Sequence, residues 1–125
     1  MVISCMRIEH DFLGDRELPD DAYYGVQTLR GLENFNITGV PIGHTPSFIA
    51  GLGYVKKAAA LANKQCGVLE ASIADAIVKA CDAVIAGDLT DQFVVDVIQG
   101  GAGTSTNMNA NEVIANKALE FLGHA

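Results

Sequence analysis

Apolar positions recur with a helical period in three stretches of the chain. Thr45 followed by Pro46 predicts a helix start. A hydroxyl there accepts from the first free backbone N–H groups, and a proline at the first helical position gives up an N–H that would go unpaired anyway. From that point Phe48, Leu52, Val55, Ala59 and Ala62 recur at spacings of three and four, which predicts one buried stripe on a helix over about 46–66, ending near Gly67. A second helix is expected over about 70–86, with Ile73, Ile77, Ala80, Val84 and Ile85 as its stripe and Gly87 as its stop. A third is expected over about 105–122, its apolar face carried by Val113, Ile114, Ala118, Phe121 and Leu122, with Gly123 placed to end it. Between the last two, Phe93, Val94, Val95, Val97 and Ile98 form a β-branched run bounded by Asp91 and Gly100-Gly101, which predicts a buried extended segment. Residues 1–43 are crowded with turn formers (Gly14-Asp15, Pro19-Asp20-Asp21, Gly39-Val40-Pro41) and sustain no period. They predict an irregular N-terminal arm with one helical turn near 22–32. The fold expected is mainly α, with three main helices and at most a short β element.

Composition narrows the partners more than it narrows the fold. With 125 residues, half of them hydrophobic and 18% charged, the chain suits one globular domain over 1–125. Fifteen acidic against eight basic side chains leave a net charge of −7, which argues against nucleic acid or an anionic membrane surface as partner. An anionic substrate would need local positive potential. No apolar run approaches the roughly 18 residues of a membrane span. The start MVISCMRIEHD lacks the basic and apolar regions of a secretion signal, so the cytoplasm is the expected compartment. Cys5, Cys66 and Cys81 are odd in number and far apart, and so read as free thiols, Cys81 packed on a helix face; neither a disulfide framework nor a zinc site is expected.

The chemistry is concentrated in Gly100-Gly101-Ala102-Gly103-Thr104-Ser105-Thr106-Asn107-Met108-Asn109-Ala110-Asn111. Glycines let the backbone turn sharply and let another group approach closely, and the helix that follows presents unpaired N–H groups and the positive end of its dipole. Hydroxyls at Thr104 and Ser105 add donors where that dipole points, a combination suited to a carboxylate or phosphate. The plainer reading is a hydroxyl-capped helix after a flexible turn. A dinucleotide fingerprint would need a third glycine where Thr106 stands, and a phosphate-binding P-loop would need a lysine that the stretch lacks. Asparagine is a poor helix-interior residue, yet Asn107, Asn109, Asn111 and Asn116 share one expected helix. Thr104, Asn107 and Asn111 fall on one face of it, a polar stripe that suits a functional or subunit-buried role, with satisfied structural amides as the alternative. His10, His44 and His124 are scattered and read as surface residues without a common metal. Arg16 and Arg30 could donate to a carboxylate but read more simply as surface ion-pair partners, and Lys56 and Lys57 as a solvated helix edge.

Several blocks in order carry a resemblance: Arg7-Ile8-Glu9-His10-Asp11-Phe12-Leu13-Gly14, Ala22-Tyr23-Tyr24-Gly25-Val26-Gln27-Thr28-Leu29-Arg30, Glu33-Asn34-Phe35, Val55-Lys56-Lys57-Ala58-Ala59-Ala60, Asp91-Gln92-Phe93, and Gln99 through Val113. On these the chain resembles the N-terminal portion of the aspartate ammonia-lyases of the aspartase/fumarase superfamily. Fumarases are similar here but tend to have Ser-Gly-Thr-Gln-Ser where this chain has Ala102-Gly103-Thr104-Ser105-Thr106, so the aspartase pattern fits better.

The resemblance implies elimination of ammonia from L-aspartate to give fumarate, through a carbanion whose charge is held as an aci-carboxylate, with no cofactor and no metal site in this chain. It implies a parent homotetramer whose active sites combine segments of three subunits. Two of three family signature regions, including the loop that supplies the general base, lie outside these residues, so no catalytic residue is expected here and the chain alone is expected to be inactive. Thr104 is the expected principal substrate contact, with Ser105 and Asn107 in lesser roles. The alternatives are a fumarate hydratase of the same superfamily, or a freestanding helical domain that binds an anion or assembles with other helices.

Overall fold

The computed structural model describes residues 5–124. A hairpin opens it: β1 (Met6–Asp11) pairs antiparallel with β2 (Gly14–Pro19), Asp11 opposite Gly14. Gly14 takes a left-handed φ of 108°, and the Leu13 N–H donates to Asp11 Oδ1 at 2.9 Å to tighten the turn. Four helices follow: α1 (Val26–Asn34), α2 (Pro46–Gln65), α3 (Ala71–Ala86) and α4 (Thr104–Phe121), with single 3₁₀ turns at Ile42–His44 and Thr90–Gln92. The mainly α expectation with a short β element holds, and the three long helices lie within a residue or two of their expected bounds. The arm expected to be irregular is instead a hairpin and a nine-residue helix. The hairpin was missed and α1 was expected only as one helical turn near 22–32, for one reason: apart from Leu18 the strands bury no residue fully, and the buried face of α1 is Val26, Thr28 and Gly31, which is not an apolar stripe.

The core lies among α2, α3 and α4. Ile49, Ala80, Cys81, Val84, Phe93, Val95, Val113 and Ile114 form its centre. On α2 the expectation holds for Leu52, which packs against the core, but fails for Val55, 65% exposed, and Phe48, 46% exposed, whereas Ile49, Gly53 and Ala60 face the core. Large apolar residues occur on more than one side of this helix, and the small residues decide which side packs. A Cβ at Gly53 would stand 2.8 Å from Ile85 Cγ1 and 3.3 Å from the Cys81 carbonyl, so α2 and α3 meet backbone to backbone there. On α3, Ala80 and Val84 are buried as expected while Ile73 is exposed, and on α4 Phe121 and Leu122 are likewise exposed. Cys81 is buried, and burial pushes its thiol up to about 11.

Helix ends follow local chemistry. Gly87 stops α3 with φ 92°, and the Glu70 carboxylate caps its start, accepting from the Ser72 and Ile73 N–H groups at 3.0 and 3.2 Å. Thr45 does occupy the position before α2, with Pro46 first in the helix, but its hydroxyl makes no capping bond. The segment after α3 is extended without forming a strand. Phe93 and Val95 are buried and their carbonyls accept from Gly43 and Ile42 at 3.0 and 2.9 Å, while Val97 and Ile98 point outward. Asp96 turns inward between them, where its carboxylate gathers the Ile37, Thr38, Gly39 and Ile98 N–H groups and the Thr38 hydroxyl.

One buried hydroxyl is left over. Thr28 Oγ1 has no hydrogen-bond partner among the described residues, although Thr28 is fully buried. A buried unpaired hydroxyl costs about 1–3 kcal/mol, and valine has nearly the same shape, so Thr28→Val is expected to raise stability by about 1 kcal/mol. Chemical denaturation of the two proteins measures the difference, and a destabilised variant would count against the hydroxyl being unpaired.

Candidate active site

The turn into α4 has an unusual backbone. Gly101, Ala102 and Gly103 take successive left-handed φ values of 77°, 54° and 84°. Ala102 is the one such non-glycine residue among those described, a conformation that costs about 1–3 kcal/mol and persists only where its surroundings enforce it. The turn delivers Thr104 at the first position of the helix. Its hydroxyl donates to the Gly101 carbonyl at 2.6 Å and its N–H to the same oxygen at 3.2 Å. The Thr106 N–H is taken by Gln99 Oε1 at 2.9 Å and the Asn107 N–H by the Gly103 carbonyl at 3.0 Å. Of the first four N–H groups, that of Ser105 alone has no acceptor among the described residues.

Thr104 and Ser105 open onto a cleft of about 510 Å³ whose opposite wall is α1, with Gln27, Arg30, Gly31 and Asn34, and whose rim carries Leu13 and Phe35. Two features fix that wall. Gly31 packs on Ser105, where a Cβ would stand 3.2 Å from Ser105 Oγ. Arg30 is held by a two-pronged pair with Asp11 at 2.6 and 2.7 Å and by donation to the Gly14 carbonyl at 2.9 Å. The guanidinium holds the Asp11 carboxyl below its ordinary value, and the carboxylate raises Arg30 in return. Nη1 of Arg30 makes no hydrogen bond among the described residues and remains a cationic donor at the cleft. The expected surface role of Arg30 is therefore corrected: hairpin and helix together bring it, largely buried, to the site. Arg16 does lie at the surface, 3.5 Å from Glu33.

Asn107 is placed elsewhere. It is exposed and turned toward α2, where its Oδ1 accepts from Lys56 Nζ at 2.6 Å, so the structure brings Thr104 and Ser105 together but not Asn107 with them. Lys56 and Lys57 both lie half-exposed at the edge of α2, Lys56 on Asn107 and Lys57 on Asp82, each at 2.6 Å. Asn111, last of the expected stripe, is half-buried with Nδ2 3.8 Å from Met108 Sδ. The other asparagines are structural amides. Asn109 is fully buried, accepts from Val94 N–H at 2.9 Å and donates to the Gln92 carbonyl at 2.9 Å, and Asn116 donates to the Tyr23 carbonyl at 2.8 Å. Glu112 escaped the sequence reading: its carboxyl accepts from the Thr28 N–H at 3.1 Å, and burial first, then neighbouring Glu9, push it above its ordinary value. No cluster of three His, Cys, Asp or Glu side chains suited to a metal occurs among the described residues. Nor is any described helix long and apolar enough to cross a membrane.

Chemically the cleft offers Arg30 already paired with Asp11, a free helix-start N–H and two hydroxyls within one concave surface that the Glu33 carboxylate also lines, a set of donors with which to hold a carboxylate. Comparison with known proteins gives this geometry a context. A family profile described as lyase matches residues 14–125. An aspartate ammonia-lyase of a Bacillus species is 63% identical over 118 residues, covering 94% of this chain and 25% of the relative. A fumarate lyase:delta crystallin from Brucella melitensis, solved bound to cobalt, superposes with a TM-score of 0.94 at 57% identity, covering 96% of this chain and 26% of that one. A class II fumarase from Schistosoma mansoni superposes with a TM-score of 0.89 at 36% identity, covering 95% and 25%. The chain spans about a quarter of the length of the curated relatives it matches.

Proposed function

Because this chain belongs to the lyase family, we propose that it is the N-terminal part of an aspartate ammonia-lyase, residues 1–125 forming its N-terminal domain. The observation that carries the reading is the cleft in which Thr104, Ser105 and its free N–H face the cationic Arg30. Such donors suit one carboxylate of a small dicarboxylate. The reaction takes a proton from the carbon beside a carboxylate onto a base. The electron pair left behind is held as an aci-carboxylate, then forms the carbon–carbon double bond as the C–N bond breaks and ammonia leaves with the bonding pair. Fixed dipoles stabilise that developing charge without reorganising. In this reading Thr104 makes the principal contact, Ser105 adds its hydroxyl and N–H, and Asn107 supports the helix start through Lys56. The base is supplied by another segment of the assembled protein, a cytoplasmic homotetramer with sites shared between subunits.

The test is fumarate formation by the full-length protein, followed by its ultraviolet absorbance. Turnover of L-aspartate and not L-malate is expected. Turnover of L-malate alone would replace the reading with a fumarate hydratase, the alternative that the likeness to a class II fumarase favours. The 125-residue chain by itself is expected to give no measurable turnover of either, since the base and the remaining carboxylate contacts are expected on other segments; detectable turnover would refute this.

A further inference from the structure

We propose that Glu112 is a positioning residue for the cleft: its carboxyl sets the placement of α1 against α4, and with it the separation of Arg30 from Ser105. The two helices meet at two levels. Ser105 and Glu112 are seven residues apart on one face of α4, and Gly31 and Thr28 are three apart on the facing side of α1. Gly31 touches Ser105, and the Thr28 N–H donates to Glu112 Oε1 at 3.1 Å. The Gly25 and Gln27 N–H groups also act on this carboxyl, so Glu112 is where the start of α1 meets α4. The other ties of α1 run to the hairpin: the Val26 N–H donates to Glu9 Oε2 at 2.8 Å, and Arg30 and Gln27 pair with Asp11. The hairpin therefore fixes α1 to itself, and Glu112 fixes both to the helix that begins with Thr104.

The fit around Glu112 leaves little freedom. Its Oε2 is sealed from solvent without a hydrogen-bond partner among the described residues. It stands so close to Gly25 that a Cβ there would overlap it, and the same Cβ would be 2.8 Å from Glu9 Oε2. Two carboxyl groups thus close over the N-terminus of α1, where the helix dipole favours negative charge. Glu112 does not line the cleft, so it acts on substrate only through α1. A shift of α1 along α4 would move Arg30 and press Gly31 into, or withdraw it from, Ser105, and a displacement of about 1 Å at a reacting site costs roughly a hundredfold in rate.

This inference rests on the lyase reading, and its test separates the two. In the full-length protein Glu112→Ala is expected to lose roughly tenfold to a hundredfold in kcat/KM for L-aspartate, measured well below its melting temperature, whereas Glu112→Gln, which keeps the acceptor for Thr28, stays within about threefold. A Glu112→Ala protein with lowered thermal stability and unchanged kcat/KM would show a structural cap and overturn the proposal. If the wild-type full-length protein turns over neither L-aspartate nor L-malate, the lyase reading falls by itself. Hydrogen exchange then decides the inference: faster exchange around Gly31 and Ser105 in Glu112→Ala but not in Glu112→Gln supports positioning, and unchanged exchange in both overturns it.

Discussion

Asp96→Ala lowers the melting temperature of the chain by roughly 10 °C or more, the largest stability loss expected from a single polar substitution here. The side chain organises two separated segments at once. Oδ2 accepts from the Ile37, Thr38 and Gly39 N–H groups at 3.2, 2.8 and 2.9 Å, and Oδ1 accepts from the Thr38 hydroxyl and the Ile98 N–H, both at 2.8 Å. Truncation leaves all five donors to find water at a residue that is 4% exposed. It also loosens the link between the loop after α1 and the approach to the Gly100–Gly103 turn. Burial pushes the Asp96 carboxyl up, but the Ile98 N–H, the Thr38 hydroxyl and N–H and the Gly39 N–H outweigh it and hold the group well below the usual carboxylate range. A carboxyl depressed by folding contributes stability in full above its unfolded value of about 4 and loses it as pH falls toward the folded value. Wild type should therefore lose more melting temperature between about pH 5 and pH 3 than Asp96→Asn, which has no charge to titrate. Circular dichroism melts of the three proteins measure both effects, and parallel pH dependence in wild type and Asp96→Asn would sink the argument.

What the sequence made legible, and what it hid, divides along physical lines. Helix limits were readable because single residues impose them: Pro46 opens α2, while Gly67 and Gly87, left-handed at φ 73° and 92°, close α2 and α3. Burial was less readable. Periodicity weights large apolar side chains, yet the tightest contact of α2 is made by Gly53, and the large residues Phe48 and Val55 are left outside. In α1 the buried side is a valine, a threonine and a glycine, so no apolar rule could find it. The same asymmetry holds in the cleft. Thr104 and Ser105 could be picked from the glycines before them, since a helix start after a flexible turn is a local feature. Arg30 could be named as a possible donor but not preferred over Arg16, and Glu112 was not singled out, because their partners Asp11 and Thr28 lie 19 and 84 residues away and meet them only through the fold.

Thr104→Val in the full-length protein is expected to lower kcat/KM by about tenfold, and the structure explains why the loss is not larger. The hydroxyl already donates to the Gly101 carbonyl at 2.6 Å. Donating to a carboxylate means giving that bond up, so a charged hydrogen bond of about 1.5–3 kcal/mol is offset by a neutral one of about 0.5–1.5 kcal/mol. The remainder, about 1–1.5 kcal/mol, corresponds to roughly a tenfold change. Thr104→Ser keeps the donor and should stay near wild type, which separates the hydroxyl from the shape of the side chain. A loss confined to KM would place Thr104 on a carboxylate held equally before and during reaction; a loss in kcat would place it on the carboxylate whose charge grows. If Thr104→Val instead melts earlier with unchanged kinetics, the hydroxyl serves only to close the Gly101–Gly103 turn, and the free Ser105 N–H with Arg30 Nη1 would be left as the donors of the cleft.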